Sequence, residues 1–354
     1  MTRSGLLVVK SLWLWLVWVV SACASGATTP AGNDGATPSP TSDAALDDTP
    51  TPTDAAVSQG SCVGLASTCG ATGTNDCCAS NPVPGGEFLR SYDGITYTDP
   101  SFPATVSAFR LDTYEVTVGR FRRFLEAGQG TRAAPPPDGT GAHPAIANSG
   151  WQPAWNAKLP ATTADLVAGL HCHPTIATWT DTAGANESRP INCVGWYMAF
   201  AFCAWDGGRL PTEAEWNFAA AGGAEQREYP WGNQISPALV TFCPASGGDC
   251  IHMPEPVGRH SPASDGAYGQ ADLAGNVWEP VFDHYADPYA IKNCVDCGAL
   301  SGMDASVRGG SILNLADYLR VSFRYHMVLT WWNGGATGIR CARGLPSSLE
   351  HQTP

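Results

Sequence analysis

The sequence predicts a domain of short strands and short helices joined by long loops and stapled by disulfides. Three observations lead there. Charged residues make up only 14% of the 354 residues, while Gly (39), Pro (28) and Trp (13) are plentiful, a mixture suited to irregular structure rather than to long amphipathic helices. Thirteen cysteines occur, and those after Cys23 are even in number, which in an exported chain reads as a disulfide framework. The stretches between Pro82 and Gly223 alternate strand-like and helix-like patterns of only a few turns each.

The N-terminus carries Arg3 and Lys10, an apolar run from Leu12 to Val20, and then Ser21-Ala22-Cys23. This is the layout of a secretory signal over residues 1–22, with a run too short for a comfortable membrane span. "VSAC" resembles a bacterial lipobox, which implies lipidation at Cys23 and a membrane-anchored lipoprotein of the cell envelope. Residues 23–60 are mostly Thr, Pro, Ala, Asp and Ser, too poor in large apolar side chains to offset their ordering entropy, and so read as a tether. Removing the leader takes two of the 19 basic residues and none of the 32 acids, leaving 17 minus 32, or −15. Such a surface repels a phosphate backbone, so nucleic acid is not an expected partner.

Residues 61–81 hold Cys62, Cys69, Cys77 and Cys78 and read as a small Cys-rich cap with two bridges, whose three possible connectivities the sequence leaves open. Residues 82–345 form the main domain and residues 346–354 a tail. "VPGGEFLRSYDG" and the stretch from Ala104 to Val116 predict two strands around a turn. A helix follows Thr117 with Phe121, Phe124 and Leu125 on one face and Gly128 near its end. From about Thr131 to Ala161 the chain reads as a loop pinned by Trp151 and Trp155. Gly195 to Trp205 is apolar nearly all round, which suits a buried helix. In "RLPTEAEW", Thr212 and Glu215 form a capping box, which explains Glu215 better than acid-base chemistry does.

With those elements in place, "GRLPTEAEWNFAAAGG", "YPWGN", "DLAGNVWE", "VRGGS" and "GIRCAR" resemble, in order and wording, the motifs of the formylglycine-generating enzyme (sulfatase-modifying factor) family. "VPGGEF" and "FRLDTYEVTVGRF" match its opening strands. The resemblance covers roughly Pro82 to Leu345. It implies an α+β domain, low in regular secondary structure and related to C-type-lectin-like folds. It further implies oxidation of a sulfatase cysteine by dioxygen, with copper(I) held between two thiolates, a soft ion that requires sulfur. Counted from "GGS", however, the two cysteine positions hold Asn314 and Leu319, and a histidine that follows the first is replaced by Leu315. Copper is therefore not expected.

Other family features carry over position by position. The resemblance implies a disulfide between Cys203 and Cys341, whereas Ala220 removes a second bridge. "DLAGNVWE" resembles the family's calcium loop, with the side chains of Asp272 and Glu279 and the carbonyls of Gly275 and Val277 as ligands. A metal-free turn held by Asn276 and Trp278 is the alternative. The region of the family's second calcium site departs from its pattern, and Asp249 alone does not restore it. His171-Cys172-His173 could bind zinc, but Cys172 oxidised, for instance to Cys193, is the plainer reading. "CVDC" (Cys294 to Cys297) and the pair Cys243 and Cys250 read as local staples.

The reading that follows is an exported, lipid-anchored binding module for an envelope or extracellular protein or glycan. Asn314, His326, Trp331 and Trp332 form its candidate face, although the tryptophans could equally be core. One alternative is a metal-dependent oxidase, of the formylglycine type or using iron on His326, His284 or His260. The other is a structural envelope protein.

Overall fold

Four short strands in a bent ribbon begin the main domain: β1 (Ser80–Val83), β2 (Gly86–Leu89), β3 (Pro103–Val106) and β4 (Phe109–Asp112). In this computed structural model, which describes residues 60–244, 250–330 and 335–345, β1 pairs with β4 and β2 with β3, both antiparallel. The two predicted strands are thus each broken once. Gly85 (φ 74°) makes the break, and a Cβ there would lie 2.3 Å from the Val106 carbonyl oxygen. The halves part company: β1 and β4 join β9 (Ala342–Arg343), while β2 and β3 join β6 (Cys294–Val295). A third sheet has the order β5 (Glu279–His284), β7 (Asp304–Arg308), β8 (Tyr325–Val328).

Helix α1 (Val118–Glu126) starts where Thr117 accepts from the Arg120 amide. The unpredicted α2 (Thr163–Leu170) has a capping box of Thr162 and Asp165. Helix α3 (Trp196–Trp205) is buried over most of its circumference, as its uniform apolarity requires, and packs among Phe121, Phe124, Trp151 and Ile339. Helix α4 (Glu213–Ala221) is fully buried, with Trp216 and Phe218 packed against Phe88, Phe109 and Leu111 of the ribbon. Its capping box is Thr212 with Glu215. Glu215 also holds Arg209 through both carboxylate oxygens (2.5 and 2.6 Å), and its pKa falls to about 2 because Arg209 and the His143 hydrogen bond outweigh burial.

The boundary expected between residues 81 and 82 falls inside β1, so the Cys-rich segment is continuous with the domain. Gly70 donates to the Val257 carbonyl (3.1 Å) and Asn75 to the Tyr114 hydroxyl (2.9 Å). Ser61 donates its amide to Asp206, in a buried network where Arg120 and Arg343 each pair with both Asp112 and Asp206. Six disulfides tie the described chain: Cys62–Cys78, Cys69–Cys77, Cys172–Cys193, Cys203–Cys341, Cys243–Cys250 and Cys294–Cys297. Cys23, the rest of residues 1–59, Asp249, Trp331, Trp332 and the tail from residue 346 lie outside the described residues.

Candidate functional site

After β7 the chain turns through Gly309 (φ 89°) and Gly310 (φ 70°) into the segment that carries both substituted positions. Asn314 accepts from the Ser311 hydroxyl (2.7 Å), and its carbonyl accepts from the Cys243 amide (2.9 Å). Leu319 is fully buried with Tyr229, Val240 and Ala274. One position is thus a polar brace within the turn and the other a core side chain. Every cysteine among the described residues is in a disulfide, so none offers a thiolate to a soft metal.

The surface beside this segment is aromatic. Trp278 stacks on Tyr325 (centroids 5.6 Å, planes 25° apart), Tyr318 meets Phe323 at 4.7 Å, and His326 sits against Tyr325 at 5.2 Å and Tyr285 at 5.1 Å. His326 is fixed by Asp304 (2.8 Å). Tyr325 and Val328 are exposed, as are Leu313 and Leu315 on the preceding turn. Stacked rings with polar edges are a surface on which apolar or ring-shaped groups can pack.

The histidines that the sequence offered for iron do not converge. His284 stands opposite Ala305, and His326 opposite Ser306. Since Ala305 and Ser306 are consecutive in β7, their partners face opposite sides of the sheet. His284 packs on Trp196 on the inner side. His260 is elsewhere, bound to Thr241 and beside Glu255. His171, from the zinc alternative, pairs with Asp181, and its neighbour Cys172 is bonded to Cys193.

Of the expected calcium ligands, Asp272, Gly275 and Val277 lie on one irregular stretch and Glu279 opens β5. Asp272 (φ 57°) is half-buried, accepts from the Gly258 amide (2.5 Å), and has its pKa pushed up to about 6 by desolvation. Glu279 is buried, and both its oxygens are held by Arg340 (2.7 to 2.9 Å), with Trp216 Nε1 donating to one of them (2.6 Å). Glu115, which no motif announces, accepts from Asn276 (2.6 Å) and the Val277 amide (3.2 Å). Its pKa is raised well above the usual range by burial and by the charges of Asp272 and Glu279. Arg340 is the guanidinium these three carboxylates share. The carbonyls of Gly275 and Val277 accept no hydrogen bond from the described residues. Carboxylate and carbonyl oxygens are the donors calcium accepts, although among the described residues no three or more His, Cys, Asp or Glu side chains gather as they would around a metal ion. Glu279, already committed to Arg340, is the least open of the four.

A second buried charge centre was not legible. Glu213 pairs with Arg308 (3.1 Å) and Arg324 (2.6 Å) and accepts from Ser306. Asp283 takes the Glu213 amide (2.7 Å), and burial together with the Glu213 charge raises its pKa.

Comparison with known proteins gives a consistent picture. The family described as Sulfatase-modifying factor enzyme 1-like domain matches residues 68–345. The formylglycine-generating enzyme of Mus musculus is 29% identical over 299 residues, 74% of each chain. The mouse protein named inactive C-alpha-formylglycine-generating enzyme 2 is 31% identical over 256 residues, covering 66% of this chain and 74% of its own. Hercynine oxygenase of Mycolicibacterium smegmatis is 31% identical over 271 residues, 68% of this chain and 56% of its own. Among solved structures, that of PvdO from Pseudomonas aeruginosa aligns with a TM-score of 0.50 at 20% identity, covering 75% of this chain and 93% of that one.

Proposed function

The chain belongs to the family of sulfatase-modifying factor enzyme 1-like domains, and from that premise we propose that it is a binding module, exported and lipid-anchored at Cys23, that does not oxidise cysteine with copper. The observation that carries this reading is the pair Asn314 and Leu319. A side-chain amide within a turn and a buried leucine stand where the family resemblance calls for two thiolates, and copper(I) has no soft ligand there. That relatives of comparable identity are named both formylglycine-generating enzyme and inactive formylglycine-generating enzyme leaves either outcome open to the family.

The binding face is the platform of Trp278, Phe323 and Tyr325, with His326 beside Tyr325 and Asn314 on the preceding turn; Trp331 and Trp332, also expected to contribute, lie outside the described residues. Its partner is an envelope or extracellular protein or glycan. Calcium at Asp272, Gly275 and Val277, with Glu279 and Glu115 adding charge, would brace the turn that leads into Trp278. The iron-oxidase alternative is disfavoured because His284 and His326 face opposite sides of their sheet.

The test is aerobic incubation of the protein, with copper(I) or iron(II) added, with a cysteine-containing sulfatase-motif peptide, followed by mass spectrometry. No aldehyde is expected under conditions where an active family enzyme converts the peptide. Conversion of the thiol would overturn the proposal.

A further inference from the structure

Each of the three sheets among the described residues has two outer strands, whose unpaired N–H and C=O groups recruit another chain unless something covers or blunts them. Five of these six edges are covered or blunted. β1 contains Pro82, which has no N–H to offer. In β9, Ala342 exchanges two backbone bonds with Arg209 (3.0 and 2.8 Å), and in β2 the Gln226 side chain holds both the N–H and the C=O of Leu89 (2.7 and 3.0 Å). β5 contains Pro280 and donates to the carbonyls of Pro211 and Ala299 (2.8 and 2.9 Å), while β6 is only two residues long.

The sixth edge, the outer side of β8, is bare. Beyond the ladder with β7, no backbone group of Tyr325–Val328 bonds to another described residue. The ladder runs without a bulge, and the strand carries no Lys, Arg, Asp, Glu or Pro, so the usual guards of an edge are missing. Tyr325 is 46% and Val328 66% exposed, which leaves side chains as well as main chain open. Main-chain donors and acceptors repeating at the strand spacing are matched by another polypeptide, and by no sugar or lipid.

Side chains flanking the edge define what that polypeptide carries. They alternate between faces: Tyr325 and Met327 lie on one, His326 and Val328 on the other. Tyr325 stacks on Trp278, and Met327 is buried in the larger core, so an added strand meets apolar surface on that face. On the other, Val328 stands opposite Asp304, whose partly exposed carboxylate holds His326 (2.8 Å). Arg308 and Arg324, from this same sheet, are both committed to Glu213 and do not offset Asp304. Without residues 1–22 the chain carries 17 basic against 32 acidic residues, so its field draws in a basic partner.

We propose that the outer edge of β8 docks one extended, basic segment of a partner protein as an added strand, its basic side chains on the Asp304 face and its apolar ones beside Tyr325. This rests on the binding-module reading and names the kind of partner for it.

The test uses the full chain and three labelled ten-residue peptides capped at both ends: alternating Arg and Val, the same peptide N-methylated at its four central residues, and alternating Glu and Val. Fluorescence anisotropy is read at 0.15 M salt, where exposed charges more than about 8 Å apart are largely screened. The Arg-Val peptide should bind saturably, one per chain, and slow amide exchange in β8. N-methylation keeps every side chain but removes main-chain donors, and should weaken binding at least tenfold, as should the exchange of Arg for Glu. The Tyr325→Lys/Val328→Lys variant, which places guarding lysines at two exposed positions, should also bind at least tenfold more weakly while keeping parental exchange protection in α3 and α4. No saturable binding up to 1 mM, equal binding of the methylated peptide, or protection confined to another segment overturns the proposal, and none of these needs the variant to fold. A dimer of the parent held through β8, seen by light scattering and lost in the variant, would give the edge to a second copy and overturns it too. A chain that forms no aldehyde on the sulfatase-motif peptide yet fails here keeps the binding-module reading and loses only this edge.

Discussion

Glu213 shows how much of this molecule rests on single side chains. Two guanidinium groups, Arg308 and Arg324, depend on its carboxylate. Removing one partner from such a buried set leaves uncompensated charge, so Glu213→Gln should cost about 3–5 kcal/mol; the urea midpoint measures it, and an unchanged midpoint would refute it. Asp272 has an opposite sign of linkage from a salt-bridged acid. Its folded pKa, about 6, lies above the unfolded value. The stability it contributes is therefore full below about pH 4 and lost as pH rises through about 6. In calcium-free buffer the melting temperature of the parent should fall across that window more steeply than that of Asp272→Asn. Calcium, which binds the charged carboxylate, should offset the fall in the parent alone. Equal slopes for parent and variant in both buffers would remove Asp272 from the site. Asp272 and Glu279 could be found from sequence because they stand in one motif. Glu213 and Arg308 are 95 residues apart, and nothing in the chain pairs two such charges before it folds. Glu115 is hidden in the same way, in a strand-like stretch 161 residues from Asn276.

At the scale of elements, local chemistry was legible and long-range pairing was not. Thr117, Thr212 and Glu215 announce their helix starts because a cap is satisfied within one turn. Helix α2 is faint in the sequence because it is only 8 residues long, with two buried leucines, behind a Pro-rich loop. The "GG" at Gly85 and Gly86 reads as a turn signal, yet what it does is divide a ribbon between two sheets, a matter of tertiary approach. That difference can be measured. Gly85 and Gly128 have the same φ of 74°, but a Cβ at Gly128 meets nothing within 4 Å. Gly128→Ala should cost about 1 kcal/mol, the left-handed backbone penalty alone. Gly85→Ala should cost clearly more, because the Val106 carbonyl must move. Similar unfolding midpoints for the two variants would mean that the ribbon's bend is not held by that contact.

For the whole molecule, the fold was readable from ordered motifs, while the partner proposed for the aromatic face was not, because recognition by a surface leaves no spacing rule. What holds the whole together can be ranked. The Cys203–Cys341 bridge joins α3 to the strand end before β9 across 138 residues, inside the larger apolar core. In the chain-entropy picture such a loop contributes about 5 kcal/mol, against about 2 kcal/mol for Cys243–Cys250 with its separation of 7. Cys203 and Cys341 are both fully buried, so replacing them with alanine keeps the site apolar and isolates the cross-link better than serine would. The Cys203→Ala/Cys341→Ala variant should therefore lose far more in its urea midpoint than Cys243→Ala/Cys250→Ala. The aromatic platform offers a second readout, since its sheet is carried on the same core through Ala305, Val307 and Met327. If the long bridge organises that core, its loss should loosen amide-exchange protection in β7 and β8, while loss of the short one should leave those strands as they were. Equal losses from both pairs would mean that native-state packing, and not loop closure, sets the value of each bridge.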